Sequence, residues 1–355
     1  MIKRTRFIPL GVAVAVPALL LTACASDPRA DDKGSKAKDY SACMVTDMGG
    51  IDDRSFNAAT WAGLQAVESK GVDISYVQSK SESDYAPNLS ALVSKGCDLI
   101  ISVGSQLLTA TQDAAKAHPN QKFAIVDGPG NGTNLRGLRF NTAQSSFLAG
   151  YLAAGFSTTG KVATFGGQQF DSVTEHMDGY WQGVQYYNKV KGTAVQVLGW
   201  NELTQQGSFT GSFTDQTKGQ QVATNFIQQG ADVIYCVAGG ASLGAPPVAQ
   251  TTNGRVSIIW VDSDGYTTVP QYKDVFLTSV PKNIGGAVEE TVLAGLEGKF
   301  PTEDYMGVLK NNGTGLSPFH NYDSKVNQKL RDEIEDAKRK IISGEIVITS
   351  PGQPK

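Results

Sequence analysis

From Ser41 onward, short Val/Ile-rich runs alternate with stretches of helical spacing. The apolar runs predict strands at 41–47, 73–79, 98–104, 122–127, 161–166, 194–200, 231–238, 257–262 and 275–280. They are nearly continuous rather than alternating in polarity, as in parallel sheets covered on both faces. Between them, Tyr85, Leu89, Leu92 and Val93 fall at i, i+4, i+7 and i+8. Val173, Met177, Tyr180, Trp181 and Val184 repeat that spacing, so 83–96 and 172–189 are predicted to be helices with one apolar face. Gly96, Gly160 and Gly230 stand where such helices should stop. This alternation argues for βαβ units and an α/β fold.

The strands are too many for one ordinary sheet, and the pattern pauses around 136–145. Residues 135–141 read as extended, and a small apolar helix follows at 147–156. A first crossing into a second domain is expected there, with a return near Lys273 and another crossing near Met306. The expected division is 40–141 plus 274–305 for domain 1, and 142–273 plus 306–355 for domain 2. The charged segment 326–342 reads as a helix with a solvated face and opposite-charge neighbours.

The start of the chain has a different pattern. Lys3, Arg4 and Arg6 precede an apolar run, 7–21, which ends in Leu21-Thr22-Ala23-Cys24. A basic start, a short apolar core and a small-residue exit predict a secretory leader, 1–23. Residues 24–39 are polar, charged and aperiodic, as a flexible tether requires. A cysteine after Leu-Thr-Ala resembles a bacterial lipobox, which implies that Cys24 is lipidated; the alternative is an ordinary leader followed by an incidental cysteine. Two acyl chains suffice for stable anchoring. No later run approaches the roughly 20 apolar residues of a membrane span. The expected location is the extracytoplasmic face of the cell membrane, held by lipid.

The 355-residue chain is long for one core, and its net charge of −3 supplies no basic field for nucleic acid. Cys43, Cys97 and Cys236 lack zinc spacing, and His118, His176 and His320 are scattered, so neither a metal nor a cofactor is expected. Cys43 begins one predicted strand and Cys97 immediately precedes another. If those strands are neighbours a disulfide can form in an exported chain; otherwise the thiols are free and buried.

The run Val45-Thr46-Asp47-Met48-Gly49-Gly50-Ile51-Asp52-Asp53-Arg54-Ser55-Phe56-Asn57 ends a strand at Asp47, turns through two glycines, and opens a helix at Asp53/Ser55. In open α/β sheets ligands bind outside the carboxyl ends of strands. This run resembles the signature of the basic membrane protein family, surface lipoproteins that include purine nucleoside receptors of ABC importers. Further blocks carry the resemblance across nearly the whole mature chain. They are Gly150-Tyr151-Leu152-Ala153, Phe213-Thr214-Asp215 with Gly219, Gly230-Ala231-Asp232-Val233-Ile234, and Trp260-Val261-Asp262-Ser263-Asp264 leading to Thr278-Ser279-Val280-Pro281-Lys282-Asn283. The segment Gly166-Gly167-Gln168-Gln169-Phe170 departs from the family's turn.

The resemblance implies a type I periplasmic-binding-protein fold: two doubly wound parallel-sheet domains joined by a three-strand hinge. It implies a purine nucleoside (adenosine, guanosine or inosine class) in the interdomain cleft, delivered by a monomeric receptor to ABC permease subunits. Its site residues map onto Asp47, Phe56, Asn57, Asp127, Phe213, Gly239, Gly240, Asp262 and Lys282. Read from residue chemistry alone, Asp47 is equally a turn aspartate. Phe56 alone would join the core with Trp61 and Leu64; the resemblance implies that it stacks on the base. Asn57 either pairs with a base edge or caps the helix. Asp52 and Asp53 are assigned to helix N-terminal electrostatics. Asp127 ends a strand, and the glycines at 128, 130 and 132 read as a plain loop. Phe213 would supply the second ring, with Phe209 as the alternative because their surroundings are near-duplicates. Gly239 and Gly240 allow close backbone approach, or merely turn the chain. Asp262 and Lys282 are implied on ribose hydroxyls, with Asp264 as an alternative to Asp262 and a mutual salt bridge as the bland reading.

No Walker loop, Gly-x-Ser-x-Gly elbow or histidine-activated nucleophile is present in the sequence, and no catalytic residue is assigned. Two other classes stay open: a nucleoside hydrolase, which would also place aspartates at strand ends, and a surface sensor or adhesion lipoprotein that retains the fold.

Overall fold

A computed structural model describes residues 40–354. The expected leader, Cys24 and tether lie outside the described residues. The first half runs β1 (Tyr40–Val45), α1 (Phe56–Glu68), β2 (Val72–Val77), α2 (Tyr85–Lys95), β3 (Leu99–Val103), α3 (Leu108–Ala117), β4 (Lys122–Val126), β5 (Leu135–Phe140) and α4 (Thr142–Phe156). There follow β6 (Lys161–Gly166), α5 (Asp171–Lys191), β7 (Gln196–Leu198), and a hairpin of β8 (Trp200–Asn201) and β9 (Gln206–Gly207). The rest is α6 (Gln216–Gln228), β10 (Val233–Val237), α7 (Ala245–Gln250), β11 (Ser257–Asp262), the single turn α8 (Gly265–Thr268), β12 (Phe276–Pro281), α9 (Ile284–Leu296), β13 (Tyr305–Gly307) and α10 (Gln328–Ser343).

The Val/Ile runs form two parallel sheets, ordered β13-β5-β4-β3-β1-β2 and β12-β11-β10-β6-β7. Central strands such as β3, β10 and β11 are buried throughout, which is why their sequences are continuously apolar. The architecture is the expected one: two doubly wound α/β lobes joined by a three-strand hinge. Three connections make the hinge, following β5, β12 and β13. They are tied by Asn141 N–H to Gly307 O (2.8 Å), Asn283 N–H to Gly313 O (2.8 Å) and Thr314 Oγ1–H to Pro281 O (3.0 Å).

Two expectations need correction. The sequence pattern puts the return to the first lobe near Lys273, but β12 pairs in parallel with β11, Ile259 opposite Thr278, and so closes the second sheet. The return therefore falls at Lys282. A doubly buried strand reads the same in either sheet, so 275–280 contains nothing local that decides its partner. The predicted strand 194–200 is broken at Gly199, whose φ of +80° ends β7 and starts the hairpin.

Cys43 and Cys97 are joined by a disulfide with Cα atoms 6.0 Å apart, inside the cluster of Leu89, Leu92, Ile100 and Phe123. Cys236 is free and buried in the second lobe. The small apolar helix α4 lies almost backbone to backbone on α5. A Cβ at Gly150 would stand 2.0 Å from Tyr180 O, and one at Gly183 equally close to Phe147 O. That intimacy fixes where α5 presents its buried residues. On α10, Leu330, Ile334, Ala337 and Ile341 face inward, while Asp336 pairs outward with Arg339 and Lys340.

Candidate functional site

The carboxyl ends of β1, β4, β10 and β11 face one another across a cleft of about 560 Å³, counted out to solvent. All nine residues named from the sequence line it: Asp47, Phe56, Asn57, Asp127, Phe213, Gly239, Gly240, Asp262 and Lys282.

On the first lobe, Asp53 caps α1, its carboxylate accepting from the N–H groups of Ser55 (3.0 Å), Asn57 (2.8 Å) and Ala58 (3.0 Å). Asn57 donates both amide protons inward, to Asp47 Oδ1 (2.7 Å) and Asp53 Oδ2 (2.9 Å). Its Oδ1 accepts from Asp47 N–H at 3.3 Å. Both amide protons are thus engaged by carboxylates of the protein, and Asn57 orients Asp47. Gly49 N–H also donates to Asp47 Oδ1 (2.8 Å). Burial pushes the Asp47 carboxyl up to about 6, against the pull of these two donors.

The other end of the cleft is charged. Asp127 and Asp262 follow or end β4 and β11 with φ of +60° and +63°, a left-handed conformation that aspartate tolerates better than most residues. Lys282, at the hinge, places Nζ 2.7 Å from Asp127 Oδ2 and 3.1 Å from Asp262 Oδ1. The same ammonium lies 4.5 Å from the centroid of the Phe56 ring. Burial works against the charge of Lys282, but the two carboxylates outweigh it and hold the amine protonated. The mutual salt bridge is thus present, and it spans both lobes. Asp264, the alternative to Asp262, is directed elsewhere: it accepts from Tyr266 N–H and pairs with His320 Nε2 at 2.7 Å.

The two near-duplicate phenylalanines separate clearly. Phe209 packs edge-on against Trp200, 6.0 Å between centroids, within the second lobe. Phe213 lines the cleft and lies parallel to Phe170 at 6.1 Å. Its ring fits because residue 167 is glycine; a Cβ there would come within 2.4 Å of it. The segment that departs from the family turn therefore contributes Phe170 and the seat of Phe213.

Phe170, Val173 and His176 reach the cleft from the start of α5, and Gly104, Ser105 and Gln106 from the loop after β3. None of these was assigned to the site from the sequence. The available signal was Glu175 and His176, two polar residues inside the buried stripe of a helix. Glu175 accepts at Oε1 from Thr142 N–H, Thr142 Oγ1–H and Ala143 N–H, and so caps α4.

Comparisons with known proteins place the chain in a family. A family model described as "Bmp: ABC transporter substrate-binding protein PnrA-like" matches residues 40–351. The chain is 33% identical to the CD4+ T-cell-stimulating antigen of Listeria monocytogenes, covering 98% of each protein. It is 31% identical to the ABC transporter nucleoside-binding protein BmpA of Lactococcus lactis, over 98% of this chain and 99% of that one. A solved ABC transporter solute-binding protein from Aeropyrum pernix K1 superposes with a TM-score of 0.80 at 27% identity, covering 88% of this chain and 94% of that one. The chain belongs to the Bmp family of PnrA-like ABC transporter substrate-binding proteins.

Proposed function

We propose that the chain is the lipid-anchored receptor of an ABC importer and that its cleft takes a purine nucleoside. One observation carries the reading: a single cleft joins aromatic rings from both lobes to a buried lysine held between two carboxylates. A flat base suits Phe56 and Phe213, which offer ring faces. Asp47 accepts from a base N–H. Vicinal ribose hydroxyls suit Asp127, Asp262 and Lys282, since hydroxyls donate to carboxylates and accept from an ammonium. Gly239 and Gly240 let the ligand approach the backbone. The relative from Lactococcus lactis is named for nucleoside binding. Anchoring through Cys24 rests on the leader and the Leu21-Thr22-Ala23-Cys24 run.

A ligand that binds only the native state raises its stability, by about 2.7 kcal/mol at a hundredfold excess over Kd. Adenosine, guanosine or inosine should therefore raise the melting temperature of the mature protein and be recovered intact. Release of base and ribose would make the protein a hydrolase. A shift with a sugar or peptide, and with no nucleoside, would defeat the reading.

A further inference from the structure

His176 is 1% exposed, yet it is one of the residues that line the cleft. One edge faces the protein: Nδ1 lies 2.6 Å from the Tyr235 hydroxyl and 3.0 Å from Ser146 Oγ, and those two oxygens are 3.2 Å apart. Nε2, on the other edge, is buried without a hydrogen-bond partner among the described residues.

The triangle decides which nitrogen carries the proton. The Tyr235 and Ser146 hydroxyls have no other partners among the described residues. If Nδ1 were protonated, three donors would share three atoms, and one buried O–H would find no acceptor. With Nδ1 bare, Tyr235 donates to it, Ser146 donates to the tyrosine oxygen, and both protons are placed. Nε2 therefore carries the hydrogen. Burial, reinforced by the Lys282 ammonium, holds the ring's pKa well below its ordinary value, so the imidazole is neutral. The result is a fixed, uncharged N–H donor with no partner among the described residues, and leaving it unpaired is costly.

We propose that His176 Nε2–H is a specificity-determining donor to an oxygen of the ligand's sugar. This rests on the nucleoside reading. Asp127 and Asp262 only accept, and Lys282 directs its ammonium to both of them. A hydroxyl that donates to either carboxylate keeps lone pairs in a dry site. A neutral N–H meets them without adding charge beside Lys282.

Calorimetry of the full-length mature protein tests this with inosine, its 2′-, 3′- and 5′-deoxy forms, and hypoxanthine. His176→Phe should bind inosine about tenfold more weakly. It should bind one deoxy form as well as the parent does, because that ligand already lacks the partner oxygen, and hypoxanthine should be unaffected. His176→Gln, which keeps an N–H, should recover part of the loss. Equal loss for base and nucleosides, or no loss at all, overturns the proposal while leaving the nucleoside reading intact. A parent that binds no nucleoside overturns both. Should His176→Phe fail to fold, 15N NMR of the parent's ring decides. Nδ1 should be bare and Nε2 protonated, with Nε2 moving on adding inosine but not hypoxanthine. The opposite tautomer, or an unmoved Nε2, overturns the proposal.

Discussion

A carboxyl group is the stronger acceptor for a base N–H while ionised, and burial has moved Asp47 close to the pH at which it takes up a proton, at about 6. Gly49 and Asn57 both bond its Oδ1, and Oδ2 accepts from none of the described residues. Below pH 6 the protonated group offers a ligand N–H only a weaker, neutral acceptor. The affinity for inosine is expected to be flat between about pH 7 and 8 and to fall by up to about tenfold per unit below 6. Asp47→Asn should bind more weakly at neutral pH and lose that acid limb. A parent Kd that stays flat to pH 5 would show that Asp47 does not meet the ligand as an anion. At this scale the strand-end aspartates were readable, because a strand's carboxyl end identifies the cleft whatever the ligand. Asn57 and His176 were not. The role of Asn57 depends on how its amide protons are shared with Asp47 and Asp53. That of His176 depends on Ser146 and Tyr235, which lie 30 and 59 residues away.

At the scale of elements, α4 begins on a buried acid from α5. Glu175 is 3% exposed, and burial pushes it up to about 8 despite the donors of Thr142 and Ala143. The sign follows from linkage. The native state holds this proton more tightly than the unfolded chain does. The contribution is full below about pH 4.5 and is lost as pH rises through 8, at up to about 1.4 kcal/mol per unit. Glu175→Gln keeps the accepting oxygen and removes the titration. Relative to the parent it should therefore gain stability across that window and melt higher at pH 9. Denaturant melts at pH 5, 7 and 9 would show it; a constant difference between the two proteins would mean that Glu175 does not titrate there. The helix itself was legible from Val173, Met177 and Tyr180, and the α/β class from the continuous strands. The partner of β12 was not, because pairing in a parallel sheet is decided by the crossover and the neighbouring strand rather than by the strand's own residues.

The molecule as a whole is held with its lobes in contact. Ser55, buried at the start of α1, donates toward Asp262 Oδ2 (3.0 Å) and Val261 O (3.2 Å) of the second lobe. Ser263 Oγ–H reaches Arg54 O in the opposite direction, at 2.9 Å. Ser55 does not line the cleft, so an effect of its substitution on binding would be exerted through closure or through the orientation of Asp262. These alternatives predict different patterns. If only the closed form binds, apparent affinity scales with the fraction of molecules that are closed. Ser55→Ala should then weaken inosine and hypoxanthine by the same factor, on the order of 3- to 10-fold for one lost hydrogen bond. Its ligand-free radius of gyration, measured by small-angle X-ray scattering, should exceed the parent's and return to it when ligand saturates. If Ser55 instead serves Asp262, inosine alone should weaken and the scattering should match. Loss confined to the nucleoside would therefore reassign Ser55 from the latch between lobes to the ribose end of the site.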